Sequence, residues 1–340
     1  DLSYDEAVNA LDGNICRCTG YASIRNAARA LCDGLARIDR TPARRAEAMI
    51  AAGVLPDYFR SIPGRLAELK ADPAAAAKDA VIVAGGTDLF VQRPEQLRES
   101  ELCFLSARPE LSYVREEAGF INVGGAASIE DFRVSPAVRA NFPSLEADLL
   151  LHSSAILRNK ATLAGNIANA SPIGDATIIL LALGARLVIT GGRGAREVPL
   201  EKFYLGYKKT DLACGELISA IKIPLPRPGS RFHFEKVSNR TTLDIAAVNS
   251  AMLLNAGDGG AITDIRVSVG GVGPVPMLLG GLEAMRGMKP GAEAGEALAA
   301  IALKASKPID DIRGSAEYKR LLAGQLMKAH FRAPAAKEAI

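Results

Sequence analysis

The spacing of apolar residues changes along this chain and divides it into regions with different predicted elements. Residues 4–11 and 24–38 have apolar positions at helical spacing, so each segment predicts a helix. Ser3 and Glu6 predict a capping box at the start of the first helix, and Ser23 predicts the N-cap of the second. The N-terminal region, up to about residue 40, is therefore predicted to be all-helical.

Residues 41–61 have no sustained pattern, and we interpret them as a linker. Residues 80–84 then form an apolar run of strand length that ends in a glycine-rich turn. Further on, the pattern predicts a helix at residues 144–158, a helix at 175–183 and a hairpin at 186–198. This middle region mixes strands with helices.

Prolines at positions 224, 226 and 228 predict a second boundary. Beyond it strands precede helices, and these elements are predicted at residues 231–237, 246–254, 262–270, 281–285, 292–305 and 316–331. That order is typical of an α+β domain. The predicted regions are 1–40, a linker at 41–61, a domain at 62–226 and a domain at 227–335.

Composition narrows the class of protein. Of 340 residues, 49% are hydrophobic and 23% are charged, and the net charge is +3, which is typical of a soluble globular protein. No basic stripe with interleaved aromatics is present, so we expect no nucleic acid as partner, and no apolar run has the length of a membrane span. Five scattered cysteines favour a reducing compartment, so we expect a cytoplasmic protein. Because the chain starts at Asp1 rather than Met, we also expect further sequence upstream.

Cys16 and Cys18 lie one residue apart in a loop between the two predicted helices. Such a pair can bind one iron of a cluster as thiolates, or it can be a structural pair. A [2Fe–2S] cluster needs two more ligands, whereas Cys32, Cys103 and Cys214 are predicted at core, strand and turn positions. We therefore expect the other ligands upstream, and without them the site would be incomplete.

Two glycine-rich segments are candidates for binding a dinucleotide. The first, residues 81–89, contains Gly85 and Gly86, which allow backbone amides to approach a pyrophosphate; a simple turn is the alternative. The second, residues 161–175, is rich in small and amide side chains. Asp175 at its end suits a ribose or ribityl hydroxyl, and it can also cap the helix that follows.

These motifs carry a resemblance to a known family. Residues 11–21 resemble the last ligand loop of the second [2Fe–2S] domain of molybdenum hydroxylases, and the two glycine-rich segments resemble the loops of their FAD domain. Their order in one chain resembles xanthine dehydrogenase small subunits that lack the N-terminal part. The resemblance implies the end of an all-α [2Fe–2S] domain, a two-subdomain FAD-binding domain similar to vanillyl-alcohol-oxidase-type flavoproteins, and an α+β C-terminal domain similar to the CO dehydrogenase flavoprotein.

The same resemblance implies site residues. Cys16 and Cys18 would be metal ligands, and no residue of the chain is expected to be catalytic. The implied FAD-binding residues are Ile82, Val83, Ala84, Gly85, Gly86, Thr87, Asp88, Leu89, His152, Thr162, Leu163, Ala164, Gly165, Asn166, Asp175, Ile218 and Lys236. His152 is alternatively a surface residue. Lys236 is either a solvated strand residue or the lysine beside the flavin, where its charge would stabilise the reduced ring.

The function implied by the resemblance is electron transfer. The chain would pass electrons from molybdenum through [2Fe–2S] clusters to FAD and on to an acceptor such as NAD. A large partner subunit would carry the molybdenum cofactor and the substrate site, so we expect a hetero-oligomer. Two alternatives are the FAD subunit of another molybdenum hydroxylase, acting on an aldehyde, CO or an N-heterocycle, and a non-enzymatic flavin-binding scaffold.

Overall fold

The computed structural model describes residues 3–14, 18–39, 41, 43–69 and 80–332. The chain divides into two compact units, Asp1–Ala75 and Ala76–Ile340.

The described part of the first unit is helical. Ser3 Oγ accepts a hydrogen bond from the Glu6 N–H at 3.1 Å, and the Glu6 carboxylate accepts one from the Ser3 N–H at 2.9 Å, so the predicted capping box is confirmed. Ser23 is not the N-cap of the second helix. That cap is Tyr21, in the left-handed region at φ 66° and without a side-chain hydrogen bond. The helices are α1 (Tyr4–Ala10), α2 (Ala22–Leu35), α3 (Arg45–Ala51) and α4 (Ile62–Glu68).

Part of the segment interpreted as a linker is helical. Helix α3 lies within residues 41–61, and a 3₁₀ helix follows at Asp57–Ser61. Arg60 joins the two, because it donates hydrogen bonds to Glu47 at 2.9 Å and to Asp57 at 2.6 Å. The spacing of apolar residues in this short segment did not predict either helix.

The second unit alternates strands and helices and has an α+β fold. Its first elements are β1 (Val81–Val83), α5 (Leu89–Gln92), α6 (Pro94–Arg98), β2 (Leu102–Phe104), β3 (Val114–Glu117), β4 (Phe120–Gly124), α7 (Ile129–Val134), α8 (Pro136–Asn141), α9 (Leu145–Asp148), α10 (Ala155–Arg158), α11 (Leu163–Ala168) and α12 (Asp175–Ala182). The others are β5 (Arg186–Gly191), β6 (Gly194–Pro199), β7 (Tyr204–Gly206), β8 (Lys209–Thr210), β9 (Leu217–Pro224), β10 (Arg231–Val237), β11 (Val248–Ala256), β12 (Ile262–Gly270), β13 (Met277–Leu278), α13 (Ala292–Ala305) and α14 (Ala316–Ala329).

A five-stranded antiparallel sheet forms the centre of the middle region, in the order β3-β4-β9-β5-β6. Strands β1 and β2 pair in parallel as a separate two-stranded sheet. Alternate residues of the central strands, such as Ile121, Val123, Ile221 and Ile223, are fully buried because successive side chains of a strand point to opposite faces. The predicted hairpin is confirmed as the β5–β6 pair.

Helix α12 is buried along its whole length, and the prediction of a helix here is confirmed. Its core residues belong to the same cluster as those of the five-stranded sheet, and it also packs against β11 and β12. A helix that is apolar on all sides is stable only when it is surrounded in this way. Asp175, its first residue, is the charged exception.

The C-terminal region is a four-stranded antiparallel sheet, in the order β10-β11-β12-β13, with α13 and α14 packed together beside it. A second core cluster joins the strands to the helices through residues such as Val267, Leu298 and Met327. The predicted order of strands before helices is confirmed, although residues 282–285 form a 3₁₀ helix.

The helix predicted at residues 144–158 is wrong. The segment is broken into α9, a 3₁₀ helix at Leu149–Leu151, and α10. Ser153 has φ 50°, which a helix does not allow, and Ser154 Oγ accepts a hydrogen bond from the Leu157 N–H at 3.4 Å and so starts α10. The break places His152 on a loop.

Among the residues that the structure describes, the helices are too short or too polar to cross a bilayer.

Candidate functional site

A cavity of about 820 Å³ lies in the second unit, where the two glycine-rich segments meet. The loop after β1, the segment around α11, the β7–β8 hairpin and the loops near residues 153 and 244 contribute to its wall. This volume is in the upper part of the range for ligand pockets. The predicted FAD-binding residues that line it are Ile82, Ala84, Gly85, Gly86, Thr87, Asp88, Leu89, His152, Thr162, Ala164, Gly165, Asn166, Asp175 and Ile218.

Three of the predicted residues do not line the cavity. Val83 and Leu163 are buried in the protein, as expected for residues whose neighbours in sequence face the other way. The Lys236 side chain is almost completely buried, with 2% exposed, so the alternative of a solvated strand lysine is wrong.

The first glycine-rich loop approaches the second segment with backbone alone. A Cβ atom on Gly85 would lie 1.9 Å from the carbonyl oxygen of Lys160 and 2.9 Å from the Cα of Ala161. Gly86 has φ +70°, and a Cβ there would lie 2.7 Å from the Phe90 ring. Gly85 therefore requires glycine for its contact with backbone atoms, and Gly86 requires it for its left-handed conformation.

Successive backbone donors of this loop are free. The N–H groups of residues 85–89 make no hydrogen bond to any other residue within the described part of the chain. Because backbone N–H groups away from bulk water need partners, these donors are available to a cavity ligand or to water. Consecutive free amides of this kind suit an anion.

The second segment is held by two side chains. Thr162 Oγ1 accepts a hydrogen bond from the Gly165 N–H at 2.9 Å and caps α11. Asn166 Oδ1 accepts hydrogen bonds from the N–H and the hydroxyl of Thr177 at 3.2 and 3.0 Å. The Asn166 NH₂ group has no partner among the described residues, so it is a donor that a ligand can use.

A polar cluster joins both loops to the β7–β8 hairpin. Gln92 Nε2 donates to Asp88 Oδ1 at 3.0 Å, and Asn169 Nδ2 also donates to Asp88. Lys208 Nζ donates to the backbone carbonyl of Asn169 at 2.7 Å. Sequence reasoning missed Gln92 and Lys208, which line the cavity from other elements. No local motif marks Lys208, whose φ of 55° is visible only in three dimensions.

Asp175 is the centre of a buried polar group. Its Oδ2 accepts a hydrogen bond from Lys236 Nζ at 2.7 Å, and its Oδ1 accepts one from Asn249 Nδ2 at 2.6 Å. Lys236 Nζ also donates to the Leu151 carbonyl at 2.8 Å. Asp175 does not cap α12, because the N-cap is Gly174 and no side-chain cap is formed. The capping alternative is therefore wrong.

The charge of Asp175 is stabilised from two sides. Burial raises the pKa of Asp175, but the neighbouring His152 and Lys236 lower it by more, so that this pKa lies below its usual value. The carboxylate is consequently ionised at neutral pH, and Lys236 neutralises it.

His152 is not a surface residue, since only 13% of its side chain is exposed and it lines the cavity. Its Nδ1 lies 3.7 Å from Asp175 Oδ2, which is beyond hydrogen-bonding distance but within range of an ion pair. Nδ1 is buried without a hydrogen-bond partner among the described residues.

Arg158 positions the loop that carries His152. The guanidinium is 1% exposed; its Nε donates to Glu130 Oε2 at 2.9 Å, and its Nη1 donates to the carbonyls of His152 at 3.2 Å and Leu150 at 3.4 Å. Burial raises the pKa of Glu130, but hydrogen bonds from Arg133 and Arg158 lower it by more, and the net pKa shift is downward. The loop at residues 150–152 is thus held in place by Arg158, which is itself paired with Glu130.

We expect Arg158→Lys to lower the free energy of unfolding by about 1–3 kcal/mol. A lysine keeps the charge but cannot reach Glu130 and two carbonyls with one planar group, so buried acceptors lose their partner. Urea unfolding followed by circular dichroism measures the effect. Arg139→Lys, at a half-exposed ion pair with Glu146, is the matched control and should change little. Equal losses in both variants would contradict a specific role for Arg158.

The described residues include one of the two predicted metal ligands, Cys18. Cys16 lies outside the described residues, and Cys18 is exposed with a free thiol. The part of the chain that the structure describes contains no group of three or more His, Cys, Asp or Glu residues that could hold a metal. These residues do not supply the four ligands that a [2Fe–2S] cluster needs.

Comparison with known proteins shows the family. Residues 60–226 match the FAD binding domain in molybdopterin dehydrogenase, and residues 233–333 match the CO dehydrogenase flavoprotein C-terminal domain. The carbon monoxide dehydrogenase medium chain of Hydrogenophaga pseudoflava is 30% identical over 275 residues, which cover 80% of this chain and 95% of the relative. The chain belongs to the FAD-binding medium-chain family of the molybdopterin dehydrogenases. As a member, it is a subunit of an oxidoreductase.

Other members and a solved structure agree with the assignment. The nicotine 6-hydroxylase medium subunit of Paenarthrobacter nicotinovorans is 28% identical and covers 76% of this chain and 90% of the relative. The solved carbon monoxide dehydrogenase from Hydrogenophaga pseudoflava, at 30% identity, covers 78% of this chain and 90% of its own with a TM-score of 0.68. The mixed α+β fold with two flavoprotein domains is therefore confirmed.

The xanthine dehydrogenase resemblance is supported only at the level of this family. Xanthine dehydrogenase 1 of Arabidopsis thaliana is 29% identical over 226 residues, which cover 62% of this chain but 16% of the relative. Both family matches begin at or after residue 60, so the cysteine loop lies outside them.

Proposed function

We propose that this medium-chain family member binds FAD in the 820 Å³ cavity and passes electrons from the molybdenum centre of a hydroxylase to an acceptor. The observation that carries the proposal is the meeting of two glycine-rich segments at one cavity, inside the region that matches the FAD-binding family. The alternative of a non-enzymatic scaffold has no comparable support, since the relatives are named as dehydrogenase and hydroxylase subunits.

The cavity wall fits an anionic dinucleotide. The free N–H groups of residues 85–89 and the Asn166 NH₂ group would hold phosphate oxygens, and Lys208 would add a positive charge near them. Ile218 offers an apolar surface for a ring, and Asp175 is an acceptor for a sugar-chain hydroxyl. When bound, FAD would supply the two-electron carrier, and the protein's part is to bind and orient it.

Lys236 would act on the flavin through Asp175 rather than by direct contact. Its ammonium is buried outside the cavity wall and donates to Asp175 and to the Leu151 carbonyl. Lys236 thereby holds Asp175 ionised and in place. This departs from the expectation of a lysine directly beside the ring.

The substrate belongs to a partner subunit in this proposal. The molybdenum cofactor and the hydroxylation site would be on a large subunit, and the assembly would be a hetero-oligomer. The names of the relatives favour a carbon monoxide dehydrogenase or an N-heterocycle hydroxylase over a xanthine dehydrogenase. Neither the cavity nor the names of the relatives point to NAD as the acceptor.

The test is to purify the chain with its partners, identify the released flavin, and count iron and molybdenum in the same sample. We expect FAD at about one per chain, and molybdenum on a larger co-purifying chain. Protein that contains molybdenum but no FAD would overturn the proposal. FAD without a molybdenum-containing partner would support the scaffold alternative instead.

The cluster proposal has a separate test. If Cys16 and Cys18 bind iron, the double variant Cys16→Ser/Cys18→Ser loses iron and keeps FAD, while Cys214→Ser, at another exposed free cysteine, keeps both. Unchanged iron in the double variant would show that Cys16 and Cys18 bind no cluster.

A further inference from the structure

Three ionisable side chains form one cluster at the cavity wall. Asp175 Oδ2 lies 2.7 Å from Lys236 Nζ and 3.7 Å from His152 Nδ1. Since the carboxylate and the ammonium neutralise each other, the protonation of His152 sets the net charge of the cluster to zero or to +1.

The two ring nitrogens of His152 have different surroundings. Nδ1 is fully buried, faces Asp175 and has no hydrogen-bond partner among the described residues. Nε2 also lacks a partner in the described part of the chain but is not among the buried atoms, and the residue lines the cavity. The negative charge 3.7 Å from Nδ1 favours a proton on that nitrogen of the neutral ring, and Nε2 is then the nitrogen that can exchange a proton with the cavity.

The other charged groups near the cavity do not contact the His152 ring. Arg158 binds the His152 carbonyl, so its charge faces the backbone of the loop. The other charged residues on the cavity wall are Asp88, Arg93, Lys208, Glu216 and Asp244, and no hydrogen bond or ion pair joins them to His152 within the described residues. The charged groups nearest to His152 are therefore Asp175 and, through it, Lys236, while the cavity side of the ring is open to a ligand.

We propose that His152 is a proton-exchanging residue of the cofactor site, which takes up a proton at Nε2 when the bound flavin is reduced and releases it on reoxidation. This inference rests on the proposed function. On reduction, the bound flavin would receive two electrons from a reductant and Nε2 would receive one proton from water. On reoxidation, the two electrons would pass to the acceptor and the proton on Nε2 would return to water. The only bond made or broken on the protein is the Nε2–H bond. The positive charge then offsets the charge that reduction adds.

The test is the pH dependence of the reduction potential of the bound flavin, measured on the complete complex with dithionite as reductant. In the wild type, one extra proton per two electrons should make the slope of the reduction potential against pH steeper by up to about 30 mV per pH unit. This value follows because a tenfold change corresponds to about 30 mV for a two-electron couple. His152→Gln should lose this increment and keep FAD. Proton uptake on reduction, measured with an indicator dye, should fall by up to one per flavin.

The chain has three histidines, and His233 is the control. It lies outside the cavity lining and contacts His330 and Glu235, so His233→Gln should keep the wild-type slope. If His152→Gln does not fold, His152→Phe keeps the ring volume and removes the proton. A complex without FAD would refute the proposed function. FAD bound with the same slope in wild type and His152 variants, or the same loss in His233→Gln, would refute this inference alone.

Discussion

Gly85→Ala is expected to lower the affinity for FAD by roughly five- to 140-fold. The new Cβ would lie 1.9 Å from the Lys160 carbonyl oxygen, which is backbone and cannot rotate away. Overpacking of this kind costs about 1–3 kcal/mol, and each 1.4 kcal/mol is about a factor of ten in affinity. The two segments would have to separate, and the free amides of residues 85–89 would leave their positions.

Flavin fluorescence after denaturation measures the FAD content, and titration of the flavin-free protein measures the dissociation constant. Gly192→Ala is the matched control, because Gly192 lies in a hairpin turn where a Cβ meets nothing within 4 Å. Wild-type FAD affinity in Gly85→Ala would show that the close approach of the segments is unimportant for binding. A melting curve separates lost binding from lost folding.

Asp175→Asn is expected to lower the free energy of unfolding by about 3–5 kcal/mol, because it leaves the buried Lys236 ammonium without a counter-charge. The Asp175→Asn/Lys236→Met double variant buries no charge and should recover most of that loss. Urea unfolding of the flavin-free protein measures both. Glu296→Gln changes a carboxylate that is 67% exposed and paired with Lys328, and it should alter the free energy of unfolding by no more than about 0.5 kcal/mol. A double variant as unstable as the single one would contradict the ion-pair explanation.

The ion pair of Asp175 with Lys236 also predicts how the free energy of unfolding depends on pH in acid. The pKa of Asp175 is lower in the folded protein than its ordinary value of about 3.9 in an unfolded chain. Its contribution to stability is therefore fully present above that unfolded value and is lost as the pH falls through the folded pKa. We expect unfolding below about pH 4 to depend more steeply on pH in the wild type than in Asp175→Asn. If the free energy of unfolding has the same pH dependence in the wild type and in Asp175→Asn, then Asp175 does not take up a proton on unfolding.

Local chemistry was sufficient for much of the fold. The capping box at Ser3 and the apolar helix α12 depend on residues close in sequence, so the sequence alone predicts both. The break at Ser153 cannot be predicted from the sequence, because the apolar spacing of residues 144–158 is helical throughout. The left-handed backbone of Ser153 is stabilised by residues that are distant in the chain. There the Leu243 N–H donates to the Ser153 carbonyl at 3.2 Å.

The candidate site divides in the same way. Glycine-rich segments 81–89 and 161–175 are contiguous and carry a family resemblance, so the amino-acid sequence alone marks them as cofactor loops. Their meeting at one cavity, the ion pair of Asp175 with Lys236 and the contact of Lys208 with Asn169 join residues 39 or more positions apart. Such pairs leave no local pattern. Chain folding brings them together, and burial then makes each charge need its partner, because a charge removed from water is stable only when it is compensated.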